Sequence, residues 1–184
     1  MPKFAGIDSS LTSTGLVTYD TDTEATVIAS FSSSNTGTSI ANKHERLYTL
    51  ASKVFKAASE GGVPELVAIE GPAFSSSTGK VWDRAGLWWY IVRMFIDYGC
   101  RVIEVPPTTR SKYGSGSGRA GKDEVLLAVS RTYPTFDIKN NDEADALVLC
   151  AFAARLSGHP FDGDLSKLKL DSLTKFEKDF TWEA

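Results

Sequence analysis

Phe4-Ala5-Gly6-Ile7-Asp8-Ser9-Ser10-Leu11-Thr12-Ser13-Thr14-Gly15 is the stretch on which the reading of this chain turns. A short apolar run ends in an acid, small hydroxyl residues follow, and Gly15-Leu16-Val17-Thr18-Tyr19 resumes the apolar pattern, which predicts strand, tight turn, strand. The Asp8 carboxylate is therefore expected at a hairpin mouth. A turn Asp ordinarily bonds its own backbone. What gives this one a further meaning is where the other acids fall.

Working outward, residues 4–8, 15–20 and 25–31 read as three strands joined by hairpins, with Thr21-Asp22-Thr23-Glu24 as one turn. A polar loop covers residues 32–39. From 40 to 58, Leu47, Leu50, Ala51, Val54 and Ala58 recur at three and four, the mark of an amphipathic helix that stops at Gly61-Gly62. Leu66-Val67-Ala68-Ile69 is apolar throughout and too short for a helix, so a buried strand is expected, ending in Glu70-Gly71-Pro72. A second carboxylate thus stands at a strand end.

Residues 74–80 form a Ser/Gly loop, and residues 81–98 predict a helix with a stripe of Leu87, Ile91, Met94, Phe95 and Tyr98. Trp88, Trp89 and Val92 widen the stripe beyond one core face, and such surplus apolar surface suggests a partner. Residues 101–105 read as a further strand, stopped by Pro106-Pro107. The stretch that follows reads as a loop carrying Arg110, Lys112, Arg119 and Lys122 among glycines that let backbone amides approach a phosphate. Residues 116–122 fit the start of a P-loop, but Asp123 stands where the magnesium-binding Ser or Thr belongs and a Pro-rich loop precedes it, which rules against a nucleotide site. A helix over residues 123–132 comes next.

In the last informative segment Asn141 is the expected cap, so Asp142 and Asp145, three apart, share one helix face while Glu143 points elsewhere. An almost wholly apolar run follows Asp145, so this helix is buried and its inward acids need a partner. Beyond Gly158-His159-Pro160 comes a mixed-charge tail, in which Leu168, Leu173, Phe176 and Phe180 could line a short helix.

The chain has 184 residues and a net charge of −3, with an isoelectric point near 5.4. One domain is expected, with a local basic groove still possible despite the acidic sum. No leader peptide or membrane-spanning run is evident, so the expected location is the cytoplasm, of a bacterium or of a phage-infected host. Cys100 and Cys150 read as buried free thiols, with no zinc spacing.

Asp8, Glu70, Asp142 and Asp145 all stand at element ends beside apolar segments, with neither His nor Cys near them in sequence. Brought together they would repel unless a cation neutralised them. Oxygen-only donors select a hard cation, magnesium or manganese. Two such ions suit in-line attack of water on phosphorus.

The order of elements resembles the ribonuclease H-like fold: an α/β protein with a five-stranded mixed sheet, three antiparallel strands then two parallel, flanked by helices. Within it, Gly6-Ile7-Asp8 with Thr14-Gly15, Ile69-Glu70, residues 118–122 and Asp142-Glu143-Ala144-Asp145-Ala146-Leu147 resemble the RuvC family of Holliday junction resolvases, over roughly residues 4–156. The resemblance implies a nuclease domain over residues 1–156 and a C-terminal extension, 157–184, of open role. It makes Asp8 the metal-bridging ligand, with Glu70, Asp142 and Asp145 completing the set. Lys122 would face the scissile phosphate, and Lys112 matches a second basic position. Arg110, Arg119 and Lys80 join these as expected DNA contacts. Phe74 falls near the family's junction-stacking aromatic, with Trp82 as the substitute because Gly71-Pro72-Ala73 lengthens the preceding loop. The implied activity is paired, symmetric nicking of a four-way DNA junction by a homodimer, leaving 5′-phosphate ends, with the dimer contact expected on the helix over residues 81–98.

Other readings share parts of this pattern. The same catalytic centre could serve flaps, forks or RNA hybrids. The Gly-Ile-Asp loop also occurs in actin-like ATPases and sugar kinases, which need two such lobes and a second phosphate loop that this chain lacks. A non-catalytic binding module would have little reason to gather four acids.

Overall fold

The computed structural model describes residues 2–34, 37–72 and 80–177. Its elements are β1 (Lys3–Asp8), β2 (Thr14–Asp20), β3 (Thr26–Phe31), α1 (Ile40–Ala58), β4 (Leu66–Glu70), α2 (Val81–Asp97), β5 (Arg101–Val105), α3 (Pro107–Ser115), α4 (Lys122–Thr132), α5 (Asn141–Leu156) and the short α6 (Lys167–Leu170) and α7 (Thr174–Glu177). The strands form one sheet in the order β3-β2-β1-β4-β5. β1 pairs antiparallel with β2 and β2 with β3, whereas β4 runs parallel to β1 and β5 parallel to β4. This is the mixed sheet that the resemblance implies.

Alternation along the strands divides the core in two. Phe4, Leu66, Ala68 and Val17 pack with α5, while Ala5, Ile7, Leu16, Val67 and Ile69 pack with α1 and α2. On the second face α1 buries Leu47, Leu50, Ala51, Val54 and Ala58, as its periodicity predicts. Ser39 caps α1 by accepting from the Asn42 amide at 3.1 Å. On the first face α5 is buried from Glu143 to Ala154. A fully buried aliphatic or aromatic side chain there contributes about 1.5–3 kcal/mol.

Two glycines let α5 come this close. A β-carbon on Gly6 would stand 2.1 Å from the Ala146 carbonyl oxygen and 2.2 Å from the Cys150 nitrogen, and one on Gly15 would stand 2.1 Å from the Asp142 carbonyl oxygen. Helix backbone thus rests on strand backbone at β1 and β2.

The structure corrects three local expectations. The stretch after Pro106 is a helix, α3, not a loop. Pro107 lies in its first turn, where no intrahelical donor is needed, so proline starts the helix it was expected to forbid. Gly116 ends it in the left-handed conformation at φ 88°. Asn140 caps α5 in place of Asn141, its side-chain oxygen accepting from the Glu143 amide at 2.9 Å. On α2 the buried stripe is Leu87, Trp88, Ile91, Val92 and Phe95, while Tyr98 turns outward. Elsewhere element boundaries move by one residue.

The segment past Leu156 packs on the α5 face of the core, with Phe161, Leu165, Leu173 and Phe176 against it. Asp162 is buried there. It accepts from the hydroxyls of Tyr113 and Tyr133 and pairs with the Arg155 guanidinium. Lys169 donates to the Gly114 carbonyl at 2.8 Å, tying this segment to α3. Phe180 lies outside the described residues. Cys100 and Cys150 are buried and free, as expected. No helix among the described residues is long and apolar enough to cross a membrane.

Candidate active site

Strand register brings the first two acids together. Ile7 pairs with Ile69 across the parallel β1/β4 ladder, so Asp8 and Glu70, the next residue on each strand, leave the same sheet edge side by side. Their alternation partners Phe4, Leu66 and Ala68 point to the α5 face, and the two carboxylates turn the same way. Asp8 also pairs with Gly15, whose missing side chain admits the first turn of α5 at Asp142. Asp145 follows one turn on and is buried. The backbone of α5 therefore delivers both of its acids to the strand ends that carry Asp8 and Glu70.

Local bonds hold each piece. The Thr14 hydroxyl donates to the Ser10 carbonyl at 2.6 Å, closing the hairpin beyond Asp8. The Trp88 indole donates to the Glu70 carbonyl at 2.9 Å, fixing the end of β4 from α2. Glu143 faces away from the cluster: it accepts from the Ser30 hydroxyl at 2.9 Å and the Lys139 amide at 2.8 Å, pinning the start of α5 to β3.

The electrostatics show a shortage of positive charge. Burial pushes the Asp8 carboxyl up to about 8, and Glu70, Asp145 and Asp142 add to the rise while Arg110 opposes it. Burial likewise raises Asp145 to about 6, with Glu70 and Asp142 pushing the same way and Arg110 and Lys122 opposing. Lys122, the first residue of α4, is exposed yet close enough for its charge to act on Asp145. Its helix start is held by Glu124, which accepts from the Gly121 amide at 2.8 Å.

Arg110, expected as a DNA contact, lies inside this cluster. Its Nε donates to Glu70 at 2.6 Å and its Nη1 to Asp145 at 2.6 Å, with only 9% of the side chain exposed. Burial works against the guanidinium's charge, but the two carboxylates outweigh it and hold its acidity below the usual range. The sequence named this arginine but not its placement, because its partners lie 40 and 35 residues away. No local pattern encodes such a contact.

The remaining expected contacts take no part in the bonds of this cluster. Lys112 is partly exposed on α3, Arg119 is exposed before α4, and Lys80 is exposed at the start of α2. Trp82, the second residue of α2, is 87% exposed. Phe74 lies outside the described residues.

The donor set fits a hard divalent cation. All four acids offer oxygen, their combined charge exceeds that of Arg110 and Lys122, and burial together with the neighbouring acids raises the Asp8 carboxyl to about 8. Asn141, four residues before Asp145 and so on its helix face, adds a buried Oδ1 with no hydrogen-bond partner among the described residues. The same acids are not preassembled into a cage, since among the described residues no three acid, histidine or cysteine side chains stand in a coordinating group.

No known protein family matches the sequence, and no curated protein matches it. Solved structures do resemble it. RuvC of Thermus thermophilus aligns with a TM-score of 0.67 at 20% identity, covering 85% of this chain and 97% of that one. The same protein in complex with a Holliday junction substrate aligns at 0.64 and 18% identity, covering 86% and 98%. The yeast mitochondrial Holliday junction resolvase Ydc2 aligns at 0.54 and 13% identity, covering 98% and 85%. With the strand order β3-β2-β1-β4-β5, this likeness establishes a ribonuclease H-like fold of the kind RuvC has.

Proposed function

We propose that this protein is a metal-dependent endonuclease that resolves four-way DNA junctions by paired nicks. The observation that carries the reading is the meeting of Asp8, Glu70, Asp142 and Asp145 at one sheet edge, with the Asp8 carboxyl raised to about 8 by burial and by its acidic neighbours. Such a cluster is costly unless a cation completes it. Magnesium is the expected ion and manganese its substitute. When bound, these ions would supply an activated water and a charge to stabilise the leaving oxygen.

The chain's own groups do the rest. Asp8, Glu70, Asp142 and Asp145 would hold the ions, and Lys122 would place an ammonium against the charge that develops on the phosphate. Lys112, Arg119 and Lys80, partly or fully exposed, would take backbone phosphates, whose contacts position DNA without reading its sequence.

A homodimer through α2 completes the proposal. Trp82, Trp89 and Ile96 are 87%, 64% and 56% exposed and recur every seven residues. Seven residues are close to two turns, so the three side chains form an exposed apolar line on one face of α2, on which a second copy of the helix could lie. Two copies so joined would present two sites to a symmetric junction.

The test is cleavage of an end-labelled immobile four-way junction, beside a flap and a linear duplex, in magnesium, manganese or EDTA. Paired nicks confined to the junction, dependent on metal and abolished by Asp8→Asn, are expected. Equal cutting of the flap would replace the reading with a general branched-DNA nuclease. Absence of any cutting would overturn the nuclease reading.

A further inference from the structure

We propose that Arg110 is a built-in stand-in cation, which holds the acidic cluster together while no metal is bound and must release Glu70, Asp145 or both before divalent ions can load. The inference rests on the metal-dependent reading above.

The geometry is that of a bridge. One planar guanidinium spends two separate donors, Nε and Nη1, on two carboxylates from different elements, each at 2.6 Å. Glu70 ends β4 and Asp145 lies in α5, so the bridge joins sheet to helix across the cluster. Arg110 cannot drift away easily: it sits in the first turn of α3, its amide donating to the Pro106 carbonyl at 3.0 Å, with Ser111, Tyr113 and Gly114 buried beside it. A fork of fixed donors matches this task, whereas an ammonium would meet one carboxylate at a time.

Arg110 takes Glu70 Oε2 and Asp145 Oδ1, one oxygen from each of two of the four acids that would hold a hard cation. A divalent ion drawing on the same two carboxylates would stand close to the guanidinium, and the two positive charges would repel. Arg110 therefore opposes metal loading while stabilising the metal-free fold. A merely structural arginine would do only the second, so removing it would weaken metal binding or leave it unchanged.

The experiment compares wild type, Arg110→Gln and Arg110→Lys by calorimetric titration with Mn2+ and by thermal unfolding in EDTA and in saturating Mn2+. Arg110→Gln should bind Mn2+ at least five-fold more tightly than wild type, with Arg110→Lys between. Its unfolding midpoint should fall in EDTA and return toward wild type with Mn2+. Mn2+ binding by wild type with equal or weaker binding by Arg110→Gln would overturn the proposal and leave the metal reading standing. No Mn2+ binding by wild type would sink that reading, and this proposal with it. Should the variants fail to fold, the Arg110 Nε–H resonance of wild type decides: saturating Mg2+ should abolish its protection from exchange, and retained protection would overturn the proposal.

Discussion

The carbonyl oxygen of Ala146 on α5 lies 2.1 Å from the point where Gly6 of β1 would carry a β-carbon. Both partners are main chain in the middle of packed elements, so neither can swing aside. Gly6→Ala should therefore push α5 off the sheet, at a cost of about 3 kcal/mol. For a chain of this size that is roughly a 6–12 °C drop in unfolding midpoint. The displaced helix carries Asp142 and Asp145, so cleavage should fall further than the stability loss alone explains. Calorimetry and junction cleavage below the new midpoint would separate the two effects.

Asp162 is the acceptor on which three elements converge: Tyr113 from α3, Tyr133 at the end of α4 and Arg155 from α5. Its side chain is fully buried and that of Arg155 is 18% exposed. Asp162→Ala would remove the carboxylate that neutralises Arg155, leaving the guanidinium with neutral acceptors such as the Gly163 carbonyl, and the Tyr113 hydroxyl donating only a long bond to the Ala151 carbonyl, at a cost of about 3–5 kcal/mol. Asp162→Asn keeps the shape and should cost less. Denaturant melts of both variants would check the order, and a wild-type midpoint for Asp162→Ala would refute it.

In EDTA, stability should fall as pH rises. Burial and neighbouring carboxylates raise Asp8 to about 8 and Asp145 to about 6 in the folded protein. In the unfolded chain both return near 4. A group that binds its proton more tightly when folded stabilises the fold fully below about pH 4, and that contribution fades as pH climbs to the folded value. The Asp145 share should be gone near pH 6 and the Asp8 share near pH 8. Asp8→Asn should flatten the decline between pH 6 and 8. A midpoint that rises over that interval in wild type would contradict the charge shortage at the site.

The seam of Trp82, Trp89 and Ile96 makes a separate prediction. Trp89→Glu, at its centre, should turn a dimer into a monomer in sedimentation equilibrium while circular dichroism and the unfolding midpoint of the monomer stay unchanged, because 64% of Trp89 is already exposed. A wild-type monomer at micromolar concentration would show that the seam serves another end.

The sequence carried the strands and α1 because their signals are local. Period-two runs and a three-four stripe need no distant partner to be read. The sheet order came through resemblance, not through the residues alone. α3 was hidden because Pro106-Pro107 and the following glycines are loop punctuation in isolation, yet Pro107 is compatible with a first helical turn and Gly116 with a left-handed end. On α2 the phase of Tyr98 could not be read, since every aromatic there is equally apolar and only the packed neighbours decide which are covered. The four acids were legible because Asp8 and Glu70 each close an apolar run and Asp142 and Asp145 stand just before one. Arg110 was legible as a charge, but its bridge, 40 residues to one partner and 35 to the other, exists only in the fold.

The packing of α5 against β1 also orders events in time. Asp8 lies on the first strand to be made, whereas Asp142 and Asp145 lie on a core helix made about 135 residues later, an interval of roughly 7–27 s at ribosomal speeds. Until α5 arrives, the face of β1 that bears Asp8 has nothing to rest on. A growing chain on the ribosome therefore holds only half of its acidic cluster until synthesis has passed Asp145, and the site first comes into being when α5 settles on the sheet.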